Sequence, residues 1–301
     1  MTINGLMLGL VYSLIALGLT LAFLLVEAIG AVLTNSLALL ADAGHMLSDT
    51  ASLGLALFSL WFASRPRTPY RSFGYHRVEV LAALGNGVAL WGVAAYILYE
   101  ASGRLANAPE VHAAPMLAIA ALGLLVNLAG MALLHGGAGE SLNVRGAFLH
   151  MLGDALGSVG AMSAAVLILL FGWFIADPII SIAIAALILW SSRTMVWQAV
   201  HILLEGTPHG VDLADLERTI AAAGGVAQVH DLHAWTLTSG YNAMSAHVVV
   251  TDSLSAADRD ALLDRLRHLV PERFPIHHVT IQMEESSHCC DVAHLPVSSA
   301  G

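Results

Sequence analysis

Two pairs of residues, His45 with Asp49 and His150 with Asp154, repeat one spacing inside apolar sequence, in LADAGHMLSDT and FLHMLGDALGS. A separation of four is one helical turn, so each pair shares a helix face. Brought face to face, the pairs offer two imidazoles and two carboxylates, a full tetrahedral shell for zinc. Asp42 extends the first pair into an i, i+3, i+7 stripe, beside the ligands, where it orients one of them or gates access. Magnesium and calcium want more oxygen donors, and manganese is disfavoured by nitrogen. Cobalt, nickel and iron remain compatible with this donor set, and cadmium fits it less well. Ionisable groups on apolar helices are costly, so their default reading is a transport or proton pathway.

The elements that must position these groups follow from composition. The 301 residues are 57% hydrophobic and only 11% charged, with a mean hydropathy of +0.74. Soluble domains carry about 25% charge. Apolar stretches of about 20 residues, the length that crosses a bilayer, fall at residues 6–33, 37–62, 79–100, 113–135, 145–172 and 178–200. The expectation is six transmembrane helices. Gly172 to Pro178, in FGWFIADP, separates the last two, which then form an antiparallel hairpin. The amino-terminal stretch lacks a basic region and a small-residue cleavage site, so it reads as a retained span and not a signal peptide.

All 12 basic residues are arginine. Arg65, Arg67, Arg71 and Arg77 crowd the connection between spans two and three, Arg145 lies between four and five, and Arg193 near the end of six. The positive-inside rule makes these loops cytoplasmic and places both termini in the cytoplasm, with Arg104 the exception. In span five, Gly146, Gly153, Gly157 and Gly160 run beside His150 and Asp154, and small residues of this kind let helix backbones approach closely in lipid.

After residue 205 the pattern changes. VDLADLERTIAAAG and SAADRDALLDRLRHLVPERF read as helices, and VAQVHDLHAWTLTSG, NAMSAHVVVT and HHVTIQMEE as strands, the first two a hairpin. The expectation is an α+β domain of ferredoxin-like type in the order αββαβ. Residues 1–204 then form the transport domain, 205–288 the cytoplasmic domain and 289–301 a tail. The soluble part is acidic, with no basic patch for nucleic acid. Cys289 and Cys290 are adjacent and, with His288, form a further cluster able to ligate metal as thiolates in a reducing cytoplasm.

These motifs resemble the cation diffusion facilitators, and within them the zinc-transporting branch found in bacteria and eukaryotes. The resemblance runs from LTLAFLLVEAIGAVLTNSLALLADAGHMLSD through FGYHRVEVLAALGN and GAFLHMLGDALGSVG to VHDLHAWTLTSG, SAHVVV and VTIQMEE. It implies a homodimer of six-span protomers in a lipid bilayer, a bacterial inner membrane being the expected setting, that exchanges cytoplasmic Zn2+ for protons. It carries the transport site to His45, Asp49, His150 and Asp154, and further zinc ligands of the cytoplasmic domain to His230, His247, His277 and Glu284. A histidine in the second span resembles zinc-selective members, as against members with two aspartates there that also accept cadmium. The resemblance also implies an ion pair between Arg77 and Glu205 at the membrane-domain junction.

His233 lies three residues beyond His230, an odd separation that turns it to the other strand face. The connection between spans two and three offers only His76, so a zinc site found there in some relatives is incomplete. No histidine-rich tract is present. Ligands must be deprotonated to bind metal, so zinc and protons compete for the same groups, with His45 and His150 expected to carry the exchangeable proton. Two other readings stay open: a polytopic membrane metalloenzyme, although no HExxH occurs and two His-Asp pairs leave no place for water, and a membrane zinc sensor that does not move the ion.

Overall fold

Six long helices open the computed structural model: α1 Ile3–Thr34, α2 Leu37–Ala63, α3 Arg77–Ala106, α4 Ala113–Leu134, α5 Leu142–Phe171 and α6 Ala176–Leu203. The structure describes residues 3–63, 65–134 and 142–285, with side chains described for part of these. Among the described residues, four helices are long and apolar enough to cross a membrane by length and composition: Arg77–Ala106, Ala113–Ala132, Met151–Phe171 and Ala176–Leu203. Two compact units divide the chain, Met1–Phe58 with Ala82–Val196, and Ser59–Leu81 with Trp197–Gly301.

The helical unit is built inside out relative to a soluble bundle. Its buried positions are dominated by small residues, among them Ala38, Ala41, Ala94, Ala161, Ala164, Ala165 and Ala185, while Leu25, Ile29, Leu125 and Leu170 stay exposed. Lipid is as apolar as leucine, so large side chains gain nothing by turning inward and small ones bring backbones together. Gly157 shows the consequence: a Cβ there would stand 2.8 Å from Asp42 Oδ1, so its missing side chain lets α5 approach α2 at the depth of the acidic stripe.

Local chemistry ends one helix and starts the next. Asn35 adopts φ 56°, a left-handed conformation that asparagine tolerates better than most residues, and turns α1 into α2. The first turn of α2 is capped from another helix: Asp177 accepts hydrogen bonds from Leu37 N at 2.8 Å, Ala38 N at 3.1 Å and Ser36 Oγ at 2.7 Å. Arg104 stands 3.9 Å from the same carboxylate and donates to Asn35 O at 2.8 Å. A buried carboxylate on a helix amino terminus neutralises both its own charge and the orphan N–H groups. Asn86 of α3 donates to Ser48 Oγ at 2.8 Å and Ser52 Oγ at 2.7 Å, fixing α2 again beside Asp49.

The break between α5 and α6 is made by Gly172, with φ +64°, and not by the proline. Pro178 lies inside α6, whose first-turn N–H groups lack partners in any case and so tolerate it.

The second unit continues as α7 Leu213–Ala221, β1 Val226–Thr238, β2 Tyr241–Val250, α8 Ala256–Arg273 and β3 His278–Glu285. Asp212 and Ser255 cap the two helices. β1 and β2 pair antiparallel through the turn at Gly240, and β3 returns parallel to β2, giving the order β1-β2-β3. Met244, Ala246, Val248 and Ile281 join Leu216, Ile220, Leu262, Leu266 and Val270 in one core, so both helices cover one face of the sheet. The αββαβ order is the expected one.

Candidate metal centres

Inside the helical unit, His45 Nε2 stands 3.8 Å from Asp49 Oδ2 and 3.4 Å from Asp154 Oδ1. One ligand atom from each of the three lies within 4.8 Å of the others, the span of a single coordination sphere. α2 supplies two of these groups from successive turns, and α5 supplies the third. His150 lies on α5 one turn before Asp154, and its side chain lies outside the described residues. Asp42, only 4% exposed, sits deeper on the same stripe and accepts a hydrogen bond from Ser158 Oγ at 3.5 Å.

A second group forms on the sheet face opposite the helices. His230 Nε2 is 3.0 Å from Glu284 Oε2, and His247 Nδ1 is 2.7 Å from Glu284 Oε1. One ligand atom from each again falls within 4.8 Å of the rest. Register brings them together: His230 pairs directly with His247, and Glu284 pairs with Val249, two residues along on the same face of β2. Burial pushes the Glu284 carboxyl up, but the hydrogen bond with His230 and the positive potential of His247 and His230 outweigh it and hold the group below the usual carboxylate range.

The descriptions that match this chain are the cation efflux transmembrane domain, over residues 13–204, and the cytoplasmic domain of cation efflux proteins, over residues 208–286. The chain is a cation diffusion facilitator. This facilitator is 47% identical over 275 residues to the "Cadmium, cobalt and zinc/H(+)-K(+) antiporter" of Bacillus subtilis, covering 91% of this chain and 88% of the relative. It is 44% identical over 270 residues to the metal cation efflux system protein CzcD of Cupriavidus metallidurans, with 90% and 85% covered. It is 45% identical over 273 residues to the zinc transporter ZitB of Escherichia coli, with 90% and 86% covered. Among solved structures, the metal-bound carboxy-terminal domain of a CzcD transporter is 42% identical, spans 25% of this chain and 99% of that domain, and superposes with a TM-score of 0.23. Membership makes this an integral membrane protein and a secondary transporter that exports divalent cations by antiport, not an enzyme.

Other expected positions in the facilitator are less uniform. Arg77 donates to Glu205 Oε1 at 3.0 Å, both groups lying in the second unit, Arg77 half-buried and Glu205 exposed. His277 does not join the His230 group: its ring stacks on Tyr241 at 5.6 Å, and its Nδ1 accepts from Asn242 N at 3.5 Å. His288, Cys289 and Cys290 lie outside the described residues.

The expectation that His233 turns to the other strand face is overturned by a bulge. Register slips by one residue between His230 and His233, which pair with His247 and Ser245 and so return to one face. Asp231, with φ +51°, is the extra residue. His233 stays out of the metal group by position instead, 57% exposed and 3.0 Å from Asp231 Oδ1. Asp231 Oδ2 also lies 3.8 Å from His247 Nε2, so the bulge adds a carboxylate at the rim of the site. Strand alternation gave no sign of it; the only hint was an aspartate, a residue that tolerates left-handed backbone, between two histidines.

Proposed function

We propose that this facilitator exports Zn2+ from the cytoplasm in exchange for protons, by alternating access in a homodimer. Residues 1–204 form a six-span transport domain, 205–288 a ferredoxin-like cytoplasmic domain that binds metal and joins the protomers, and 289–301 a tail. The setting is a bacterial inner membrane with both termini cytoplasmic. The carrying observation is the convergence of His45, Asp49 and Asp154 within 4.8 Å on two apolar helices; in this reading His150 is the fourth ligand.

Two carboxylates and two neutral imidazoles cancel the charge of Zn2+, so the loaded site is neutral and its movement between the two sides costs little electrostatic energy. Without metal, two carboxylates at this depth call for protons, and this makes the exchange obligatory. His45 and His150 carry the exchangeable proton, and Asp42 orients or gates from below. The His230, His247 and Glu284 group binds zinc as a structural or regulatory ligand, and His277 and the His288, Cys289, Cys290 tail are separate candidates. The relatives named for cadmium and cobalt support those ions as additional substrates, and nickel and iron fit the donor set.

Proteoliposome flux under a pH gradient tests this reading, run with zinc, cadmium, cobalt, nickel, manganese and iron while internal pH is recorded. Zinc uptake coupled to proton movement, lost in Asp49→Ala and Asp154→Ala, supports it; metal binding without flux would make the protein a sensor.

A further inference from the structure

Glu27 is the only charged residue of α1 and is completely buried, 0% exposed, in the run LLVEAIG. No N–H or O–H donor among the described residues reaches either carboxylate oxygen. What faces it is a second carboxyl, that of Asp42 on α2, itself 4% exposed. Asp154 on α5 is the remaining titratable group acting on Glu27, and α4, which packs on α1, contains none. Asp42 feels Asp154 and Asp49 as well, and among the described residues its hydroxyl partner is Ser158.

Two buried carboxyls that face each other cannot both ionise while no cation stands near them. A lone carboxylate at membrane depth is already costly. The pair therefore holds a proton, and it does so one helical turn away from the metal ligands, within the field of Asp154.

We propose that Glu27 and Asp42 form a proton-carrying site separate from the metal ligands, filled when the His45–Asp49–Asp154 group is empty and discharged when that group takes Zn2+. This rests on the transport reading above. The coupling runs through Asp154. Metal on that carboxylate cancels the negative potential that favours a proton on the Glu27–Asp42 pair, and by reciprocity the proton on the pair weakens metal binding. The balance is simple: Zn2+ arrives, the shared O–H proton leaves as H+, and nothing is oxidised or reduced.

The test uses the full-length protein, wild type and Glu27→Gln, with zinc as the probe. Protons released per zinc bound are measured by calorimetry in buffers of different ionisation enthalpy, and zinc uptake is measured in proteoliposomes with and without a pH gradient. Glu27→Gln, an uncharged isostere, is expected to bind zinc within about threefold of wild type, to release about one proton fewer per zinc, and to gain less acceleration from the pH gradient than wild type. Glu27→Asp should restore both. Unchanged proton release and unchanged gradient response in Glu27→Gln would overturn the proposal, as would loss of zinc binding itself. Should Glu27→Gln fail to fold, Asp42→Asn removes the same shared proton and must show the same deficit, and an undiminished count there overturns the idea. Asp49→Asn serves as the control for the metal site: zinc binding at full strength in that variant would contradict the transport-site assignment, independently of the proton count in Glu27→Gln.

Discussion

The two metal-ligand groups of this molecule differ little in exposure and much in charge. His45, Asp49 and Asp154 are 21%, 25% and 14% exposed, and His230, His247 and Glu284 are 14%, 23% and 12%, so burial alone does not separate them. The intramembrane group has two carboxylates to one described imidazole, and the cytoplasmic group has two imidazoles to one carboxylate. A divalent ion in a low-dielectric setting needs its charge cancelled by the protein, whereas at a sheet surface water does part of that work. On the proposed reading the two donor sets serve two purposes: the neutralising group releases its ion to the other side in exchange for protons, and the imidazole-rich group holds an ion and reports its presence.

The supports differ too. The helical site depends on how closely α5 approaches α2, set at Gly157, and on the anchoring of α2 by Asp177 and Asn86. The sheet site depends on register, which seats His230 opposite His247.

The largest effect expected is loss of the intramembrane carboxylates. Asp49→Ala or Asp154→Ala should reduce zinc flux in proteoliposomes at least about a hundredfold, since one unneutralised charge in lipid costs several kcal/mol. His230→Ala, at saturating zinc, should leave flux within about threefold of wild type while lowering the number of zinc ions bound per protomer.

Selectivity comes next. His45→Asp replaces the only nitrogen of the described helical group with oxygen, and competition assays should show cadmium gaining on zinc by about tenfold. The equivalent change at His247 should alter metal content in the cytoplasmic domain without changing which ion is transported.

Packing should separate the sites further. Gly157→Ala forces its new Cβ against Asp42 Oδ1, at 2.8 Å, and the strain, about 1–3 kcal/mol, should slow flux about tenfold while leaving zinc at the His230 group unchanged.

Acid should act on the cytoplasmic group in a defined order. Glu284 is held below the usual carboxylate range, so its contribution is fully present above the ordinary carboxylate pKa and fades only as the pH falls through its depressed value. Zinc lost from this group between pH 7 and 5 is therefore not the work of Glu284 protonation. Glu284→Gln should weaken zinc binding about tenfold at pH 7, as read by zinc titration of the full-length protein.

The smallest effect belongs to Arg77 and Glu205. An exposed pair contributes about 0–1 kcal/mol, so each single charge reversal should lower thermal stability slightly, and the double reversal should recover it.

Much of this was legible in the sequence because the signals were periodic. The apolar stretches and the αββαβ order of the carboxy-terminal unit emerged at nearly the observed bounds, since each rests on a run of residues with a clear period or breaker. The i, i+4 spacing put His45 and Asp49 on one face, and in the structure they lie 3.8 Å apart with Asp154 3.4 Å from His45. What escaped were contacts made between elements. Asp177 reads as an ordinary first-turn acid of α6, yet it caps α2 across 140 residues of sequence. Glu27 is a single acid in a long apolar run, and its burial against Asp42 is what distinguishes it. The bulge at Asp231 defeated strand alternation because one inserted residue reverses every facing argument beyond it.

The most direct test of the account is zinc-driven proton flux in proteoliposomes that carry wild type, Asp154→Ala or His230→Ala, with zinc uptake and internal pH recorded together. The account predicts coupled zinc and proton movement in wild type and His230→Ala, and neither in Asp154→Ala. Near wild-type coupled flux in Asp154→Ala would contradict it.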